Sequence, residues 1–313
     1  MVRMPETTGA RRFAIIIGTL LLAFALGASA GCSQAGGKSG DAPGSGSAGP
    51  VAVDTDGEPY PQLEGLVFVR QGSIWAVEDG IARQVIESAS PWSLRDARSG
   101  DAITYASLEG TNAHVYTAAR GDWRPESMWE TEMGSLLVES SHDDIADALW
   151  FSVSGEQTAT IGVRDGTGTA STLEIAVEAS PYFAVRYEDG TIFVVGASQE
   201  PARLYEVGVE TRELLVAGTL FSPRLSPDGT RVLLTGSDQG TGTFHLWVAD
   251  TSSGSLADIG VGAGVPTDPV WSRNGTRIAF RDTHTGTVWI VPATEGGAAH
   301  DTGLLADEGG LAW

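Results

Sequence analysis

A single cysteine, Cys32, stands among the 313 residues, so no internal disulfide can form. Lysine is equally scarce: Lys38 is the only one, and arginine supplies the rest of the 19 basic residues. Against 40 acidic residues the formal net charge is −21, the reverse of the basic footprint a nucleic-acid binder carries. Beyond the N-terminal region no stretch keeps a helical apolar period over three turns, which argues against helix bundles and α/β sheets. The five histidines (His114, His142, His245, His284 and His300) show neither H-x-H nor H-E-x-x-H spacing, so a zinc site is not written here. There is no G-x-S-x-G hydrolase motif, and the Gly-rich runs at 166–169, 240–243 and 260–264 precede no helix, unlike phosphate loops. No cofactor and no catalytic constellation is expected from these residues.

What is present begins with export. Arg3, Arg11 and Arg12 precede an uncharged apolar run from Phe13 to Ala28, the pattern of a secretory signal. The run is shorter than the roughly 20 residues a spanning helix needs. Ser29-Ala30-Gly31-Cys32 resembles the bacterial lipobox, and that resemblance implies cleavage before Cys32 and its lipidation. Residues 1–31 are therefore expected to be a lipoprotein signal peptide. Residues 32–62 are rich in Gly, Ser and Pro without apolar period. Such a segment buries too little apolar surface to offset its ordering entropy and is expected to be a disordered tether. Residues 63–313 are the expected folded domain. The mature chain is thus expected to be exported, monomeric and anchored to the outer face of a bacterial membrane through lipidated Cys32.

The folded region is a repeat. Arg224–Leu234, RLSPDGTRVLL, and Val270–Phe280, VWSRNGTRIAF, spell the same hairpin 46 residues apart. A Ser-Pro or Asp-Pro pair opens the apolar strand at Pro91, Pro181, Pro223 and Pro269. Halving the first gap gives a further start near Leu136, and one more step beyond Pro269 reaches Leu311. An independent series of large residues, Trp75, Tyr116, Ile161, Tyr205, Trp247 and Trp289, keeps the same step of about 44 residues, the period of a propeller blade. Each unit reads as four strands divided by Gly-containing turns. Six such units predict an all-β, six-bladed β-propeller of four-stranded blades. The region starts on a second strand, Leu66–Val69, and ends on a lone first strand, Leu311–Trp313, so the C-terminal strand should complete the first blade. Asp or Asn before Gly in SPDGT and SRNGT supplies a turn, not a site.

The two C-terminal hairpins, PRLSPDGTRVLL and DPVWSRNGTRIAF, resemble the WD-like repeats (P-x-W-S-P-D-G) of the TolB propeller family. The resemblance covers roughly residues 63–313 and implies a TolB-like six-bladed propeller of the cell envelope. TolB carries an N-terminal α/β domain before its propeller; here the tether stands in that place.

Function has to come from a site, because propellers host enzymes and binders alike. Loops between second and third strands share one face with the connections between blades. On that connection face the sequence places Glu109, Glu200, Asp238, Asp268, Asp282, His284, Asp307 and Glu308. The opposite, short-turn face receives most arginines, among them Arg95, Arg98, Arg120, Arg186, Arg224, Arg231 and Arg277. Charge sorted in this way suggests a face with focused negative potential. The reading that follows is a binding or scaffold module for an envelope protein, peptide or glycan. The rival is a channel-mouth enzyme, either a glycan-active hydrolase or a metal-dependent lactonase. Against the rival, Asp268 is the only acid at an inner-strand start where three or four ligands are required, and a cap for its strand turn, as at Ser90, Ser180 and Ser222, explains it better.

Overall fold

The computed structural model describes residues 59–313 except 88–89, 132–136, 155–158, 174, 176, 197–200, 239–241 and 261–263. Cys32, most of the tether and Glu200 lie outside the described residues. Six four-stranded antiparallel sheets form the body. Blade 1 holds β1 (Val67–Arg70), β2 (Ser73–Glu78) and β3 (Ile81–Glu87). Blade 2 holds β4 (Trp92–Asp96), β5 (Ala102–Glu109), β6 (Asn112–Ala119) and β7 (Glu126–Thr131). Blade 3 holds β8 (Leu137–Asp143), β9 (Ala148–Ser154), β10 (Ala159–Asp165) and β11 (Ala170–Leu173). Blade 4 holds β12 (Ala179–Arg186), β13 (Thr191–Gly196), β14 (Ala202–Val207) and β15 (Thr211–Ala217). Blade 5 holds β16 (Thr219–Leu225), β17 (Arg231–Ser237), β18 (Phe244–Asp250) and β19 (Leu256–Gly260). Blade 6 holds β20 (Pro266–Trp271), β21 (Arg277–Asp282), β22 (Thr287–Pro292) and β23 (His300–Leu305). The terminal β24 (Leu311–Ala312) is the innermost strand of blade 1.

The innermost strands β4, β8, β12, β16, β20 and β24 touch in a closed cycle around one axis. This is the six-bladed propeller that the repeat predicted. The aromatic series occupies the third strand of every blade. Trp75 faces Phe68, Tyr116 faces Tyr105, Tyr205 faces Val194, Trp247 faces Leu234 and Trp289 faces Phe280. The core is not one mass but six apolar layers, one between each pair of neighbouring blades. The layer between blades 6 and 1 is the richest, with Phe68, Trp75, Val270 and Trp313 among its members. Among the described residues, that between blades 2 and 3 is the thinnest, built on Ala106, Ala113, Val115, Leu137 and Leu149.

Closure occurs as expected. Val67 pairs with Ala312 and Phe68 with Leu311, so the two ends of the domain meet in one sheet and no inner edge is left open. Gly309 and Gly310 make this possible, at φ 136° and 113°. A Cβ on either would stand 2.6 Å from a backbone oxygen of Pro91 or Leu94, closer than a carbon can approach.

The written motif is a turn in both places. Asp228 Oδ1 accepts from Ser226 Oγ at 2.6 Å, Thr230 N at 3.1 Å and Thr230 Oγ1 at 2.8 Å. Asn274 Oδ1 repeats the set with Ser272 Oγ at 2.9 Å, Thr276 N at 3.1 Å and Thr276 Oγ1 at 2.7 Å. The Ser-Pro series has a different cause from strand opening alone. In five blades the pairing of the innermost strand slips by a β-bulge. In blades 5 and 6 the bulge holds Ser222-Pro223 and Asp268-Pro269, with Ser222 at φ 52° and Asp268 at φ 51°. Proline is tolerated there because a bulge leaves a backbone N–H unpaired in any case.

Candidate functional site

The bulges turn charged side chains toward the axis. Arg95 of β4, Glu139 of β8 and Arg224 of β16 are brought together inside the ring. Arg95 pairs with Glu139, whose Oε1 is also 3.4 Å from Arg224 Nη1. Glu139 Oε2 accepts the Phe183 N–H at 3.0 Å, and Arg95 Nη1 reaches the Phe183 carbonyl at 3.4 Å. Four blades are thereby tied through one carboxylate. Burial, reinforced by the charge of Arg95, pushes the Arg224 guanidinium down to about 10. The expectation that Arg95 and Arg224 belong to the short-turn face is corrected. Each lies on an innermost strand just past a bulge, and the inserted residue changes which side of the strand faces the axis.

Asp268 stands nearer the connection face of the same axis. It is not a strand cap: it sits within β20, on the bulge. The residue is half-buried by area, yet its carboxyl lies deep among neighbouring atoms, and burial raises its pKa. Arg224 and Arg281 oppose that rise, while Glu308 and Glu139 add to it. Among the described residues no N–H or O–H donates to it. Tyr182 stands close enough for burial, Glu139 and Asp268 to push its hydroxyl up to about 12. From Tyr182 a row of half-buried aromatics leads outward, with centroids 6.4 Å apart to Phe221 and a further 6.0 Å to Phe244.

The remaining acids divide. Glu109 is exposed and accepts from Tyr116 Oη at 2.7 Å. Asp238 is exposed, 3.1 Å from His245 Nε2, whose Nδ1 lies 2.9 Å from Asp258. Glu308 is exposed, 3.9 Å from Arg281 Nη1. His284 is exposed in the turn after β21. Asp307 is exposed but holds the β1–β2 turn by accepting the Gln71 N–H. Asp282 is corrected outright: it is fully buried. It accepts the backbone N–H groups of Gly264 at 2.7 Å, His284 at 2.8 Å and Thr285 at 3.1 Å. Placed at a strand end before a tight turn, it organises backbone instead of facing solvent.

The short-turn arginines are occupied as well. Arg231 lies 4.7 Å over the Trp271 ring and donates to Gly275 O at 3.0 Å, one blade along. Arg277 lies 4.8 Å over Trp313 and donates to Gln62 O at 2.7 Å. Arg186 reaches Gly229 O at 3.3 Å, and Arg98 meets Asp143 at 3.0 Å. These side chains staple one blade to the next. Among the described residues no three His, Cys, Asp or Glu side chains are grouped as a metal site would require.

Sequence reasoning missed Glu139, the centre of the buried triad. Its signal was an acid in the middle of an innermost strand, in Leu137–Asp143, with arginines at comparable depth in β4 and β16. It also underweighted Asp268, where the repeat writes an acid in the place of Ser222.

No protein-family model matches the chain, and no curated protein sequence matches it. Solved structures do. TolB from Acinetobacter baumannii matches with a TM-score of 0.65 at 14% identity over 79% of this chain. The match spans 65% of that TolB, so this chain covers about two thirds of its length. A chain of a nidogen/laminin complex matches with a TM-score of 0.60 at 10% identity, over 79% of this chain and 97% of that one. A TolB-like protein from Agrobacterium tumefaciens gives 0.56 at 17% identity, over 76% and 86%. At such identities the likeness is one of fold, and the fold of this chain is the TolB-like six-bladed β-propeller.

Proposed function

We propose that this chain is a lipid-anchored binding module of a bacterial cell envelope. It would present the connection face of its propeller to a protein or peptide partner. The observation that carries this reading is the contrast in how charged side chains are used. Arginines of the short-turn face are held in blade-to-blade contacts, whereas Glu109, Asp238 and Glu308 remain exposed on the connection face, and the row Tyr182, Phe221 and Phe244 is half-buried. Exposed carboxylates beside aromatic surface suit a partner that combines basic and apolar side chains. The lipobox-like Cys32 and the Gly/Ser/Pro-rich segment after it supply anchor and reach. A multiply acylated cysteine gives firm attachment, where a single chain would bind only marginally.

The test is crosslinking in native membranes, comparing the parent chain with the triple variant Glu109→Gln, Asp238→Asn, Glu308→Gln. Capture of one partner by the parent, weakened by salt and lost in the variant, supports the reading. Equal capture by both would overturn it. Cys32→Ser should release the protein from membranes, and a variant that survives a high-salt membrane wash would remove the anchor from the proposal.

A further inference from the structure

Asp268 differs from every other well-buried aspartate described in the propeller. Asp282 accepts three backbone N–H groups. Asp143 accepts those of Ile145 and Ala146 and pairs with Arg98. Asp268 has no such donor among the described residues, and none of the described cations lies within ion-pair distance of it. The two arginines that act on it bond elsewhere: Arg224 to Glu139 and the Pro223 carbonyl, Arg281 Nε to the Ala306 carbonyl at 2.8 Å, while Arg281 Nη1, buried without a hydrogen bond, lies 3.9 Å from Glu308. Pro269 follows it and offers no N–H of its own.

The backbone at this position belongs to the fold. Asp268 holds φ 51° inside a strand, in the left-handed region that Asp and Asn enter more readily than most L-residues. Ser222 occupies the equivalent bulge of blade 5 at φ 52°, so the geometry does not itself call for an acid. Blade 6 places an ionisable group at a position the fold satisfies with a hydroxyl. A buried carboxylate lacking hydrogen-bond donors, with Arg224 and Arg281 near it but outside ion-pair distance and Glu308 and Glu139 adding like charge, is a site that gains from a cation placed in direct contact.

Two features select what kind of cation. The row Tyr182, Phe221 and Phe244 gives apolar and π-face surface leading to the axis, suited to an aliphatic stem ending in positive charge. The exposed carboxylates of Asp238 and Glu308, on a chain of net charge −21, draw cations toward that mouth. We propose that the axial mouth at Asp268 receives a lysine or arginine side chain of an extended partner segment, its stem laid along Tyr182, Phe221 and Phe244. This rests on the reading of the connection face as a partner surface and names the chemistry of the anchor residue.

The experiment is calorimetric titration of the detergent-solubilised full chain with acetyl-arginyl-phenylalaninamide. The control is the same dipeptide with citrulline, which replaces the guanidinium by a neutral group of like shape. The arginine peptide should bind about tenfold or more tightly than the citrulline one, as expected for a charge pair removed from water. Asp268→Asn should erase that preference, while Asp122→Asn, exposed in the turn between β6 and β7, changes it by no more than about twofold, as for a distant exposed charge. Equal affinity for the two peptides, persistence of the preference in Asp268→Asn, or no binding of either overturns the inference. The broader reading is scored separately by membrane crosslinking of the parent: capture of a partner by a parent chain that shows no peptide preference leaves the binding face standing and removes only this anchor.

Discussion

On the short-turn face, Arg231 and Arg277 lie flat on Trp271 and Trp313 and donate to carbonyls of the neighbouring blade. On the connection face, Glu109, Asp238 and Glu308 are exposed and bound to no other blade by a strong pair. The repeat accounts for the first behaviour. Every Gly-Thr-Arg that follows a turn delivers a guanidinium to the aromatic of the next innermost strand, so the motif encodes assembly of the ring. Nothing in the repeat requires the acids on the other side. The difference separates residues that build the disc from residues that are free to act on something outside it.

The largest effect should come from breaking the building face. Removing Leu311–Trp313 takes away a tryptophan only 5% exposed, together with its indole bond to Glu64 O and its stacking with Arg277. It also bares the inner edge of β1 and invites edge-to-edge association. Losing such an indole costs about 3–5 kcal/mol by analogy with core Trp→Ala changes. Urea denaturation should show that loss, and an unchanged midpoint would break the closure.

Next comes the acid that belongs with the builders despite its address. Asp282→Ala leaves three backbone N–H groups without their acceptor and should destabilise by about 1–3 kcal/mol. Asp238→Ala, on the same face but exposed, should stay within about 0.5 kcal/mol. Similar losses for the two would erase the distinction drawn between them. Smaller still is the single staple. Arg231→Ala removes one stacking contact and two charged hydrogen bonds, to Gly275 O and Ala293 O, about 1–2 kcal/mol together. Lysine at the same position should recover little of it, because an ammonium cannot lie flat on an indole. Thermal melts of the two variants would decide.

The fold was legible because two independent series, proline and aromatic, kept one step, and period is what a repeat cannot hide. The faces were less legible, for a definite reason. Assigning a side chain to a face by its place along a strand assumes strict alternation. The bulges at Ser222-Pro223 and Asp268-Pro269 insert a residue and reverse that alternation, which carried Arg224 into the axis. Arg95 follows the same pattern after the bulge between Trp92 and Arg95. Asp282 was misjudged for another reason: a carboxylate that caps a turn and one that faces water have the same letter and the same neighbours in sequence. Only the inward bonds to Gly264, His284 and Thr285 tell them apart.

Asp268 sharpens the comparison from the opposite direction, because it should be the residue whose loss strengthens the fold. Burial raises its pKa above the unfolded value of 3.8. The unfolded chain therefore releases this proton first as pH rises, and folding loses stability between 3.8 and the folded value. Above that window the deficit is constant. Asp268→Asn removes the ionisation while keeping the shape, so it should raise stability at pH 7, by about 0.5–2 kcal/mol if it behaves as other strained functional positions do. The gain should shrink as the pH falls through the folded value and vanish below about pH 3, where the carboxyl of the parent is neutral in both states. Asp282→Asn takes an acceptor away from the backbone N–H groups of Gly264, His284 and Thr285 and should destabilise instead. Melting curves of both variants across this range separate the two acids. A destabilised Asp268→Asn at pH 7 would mean that Asp268 belongs with the builders.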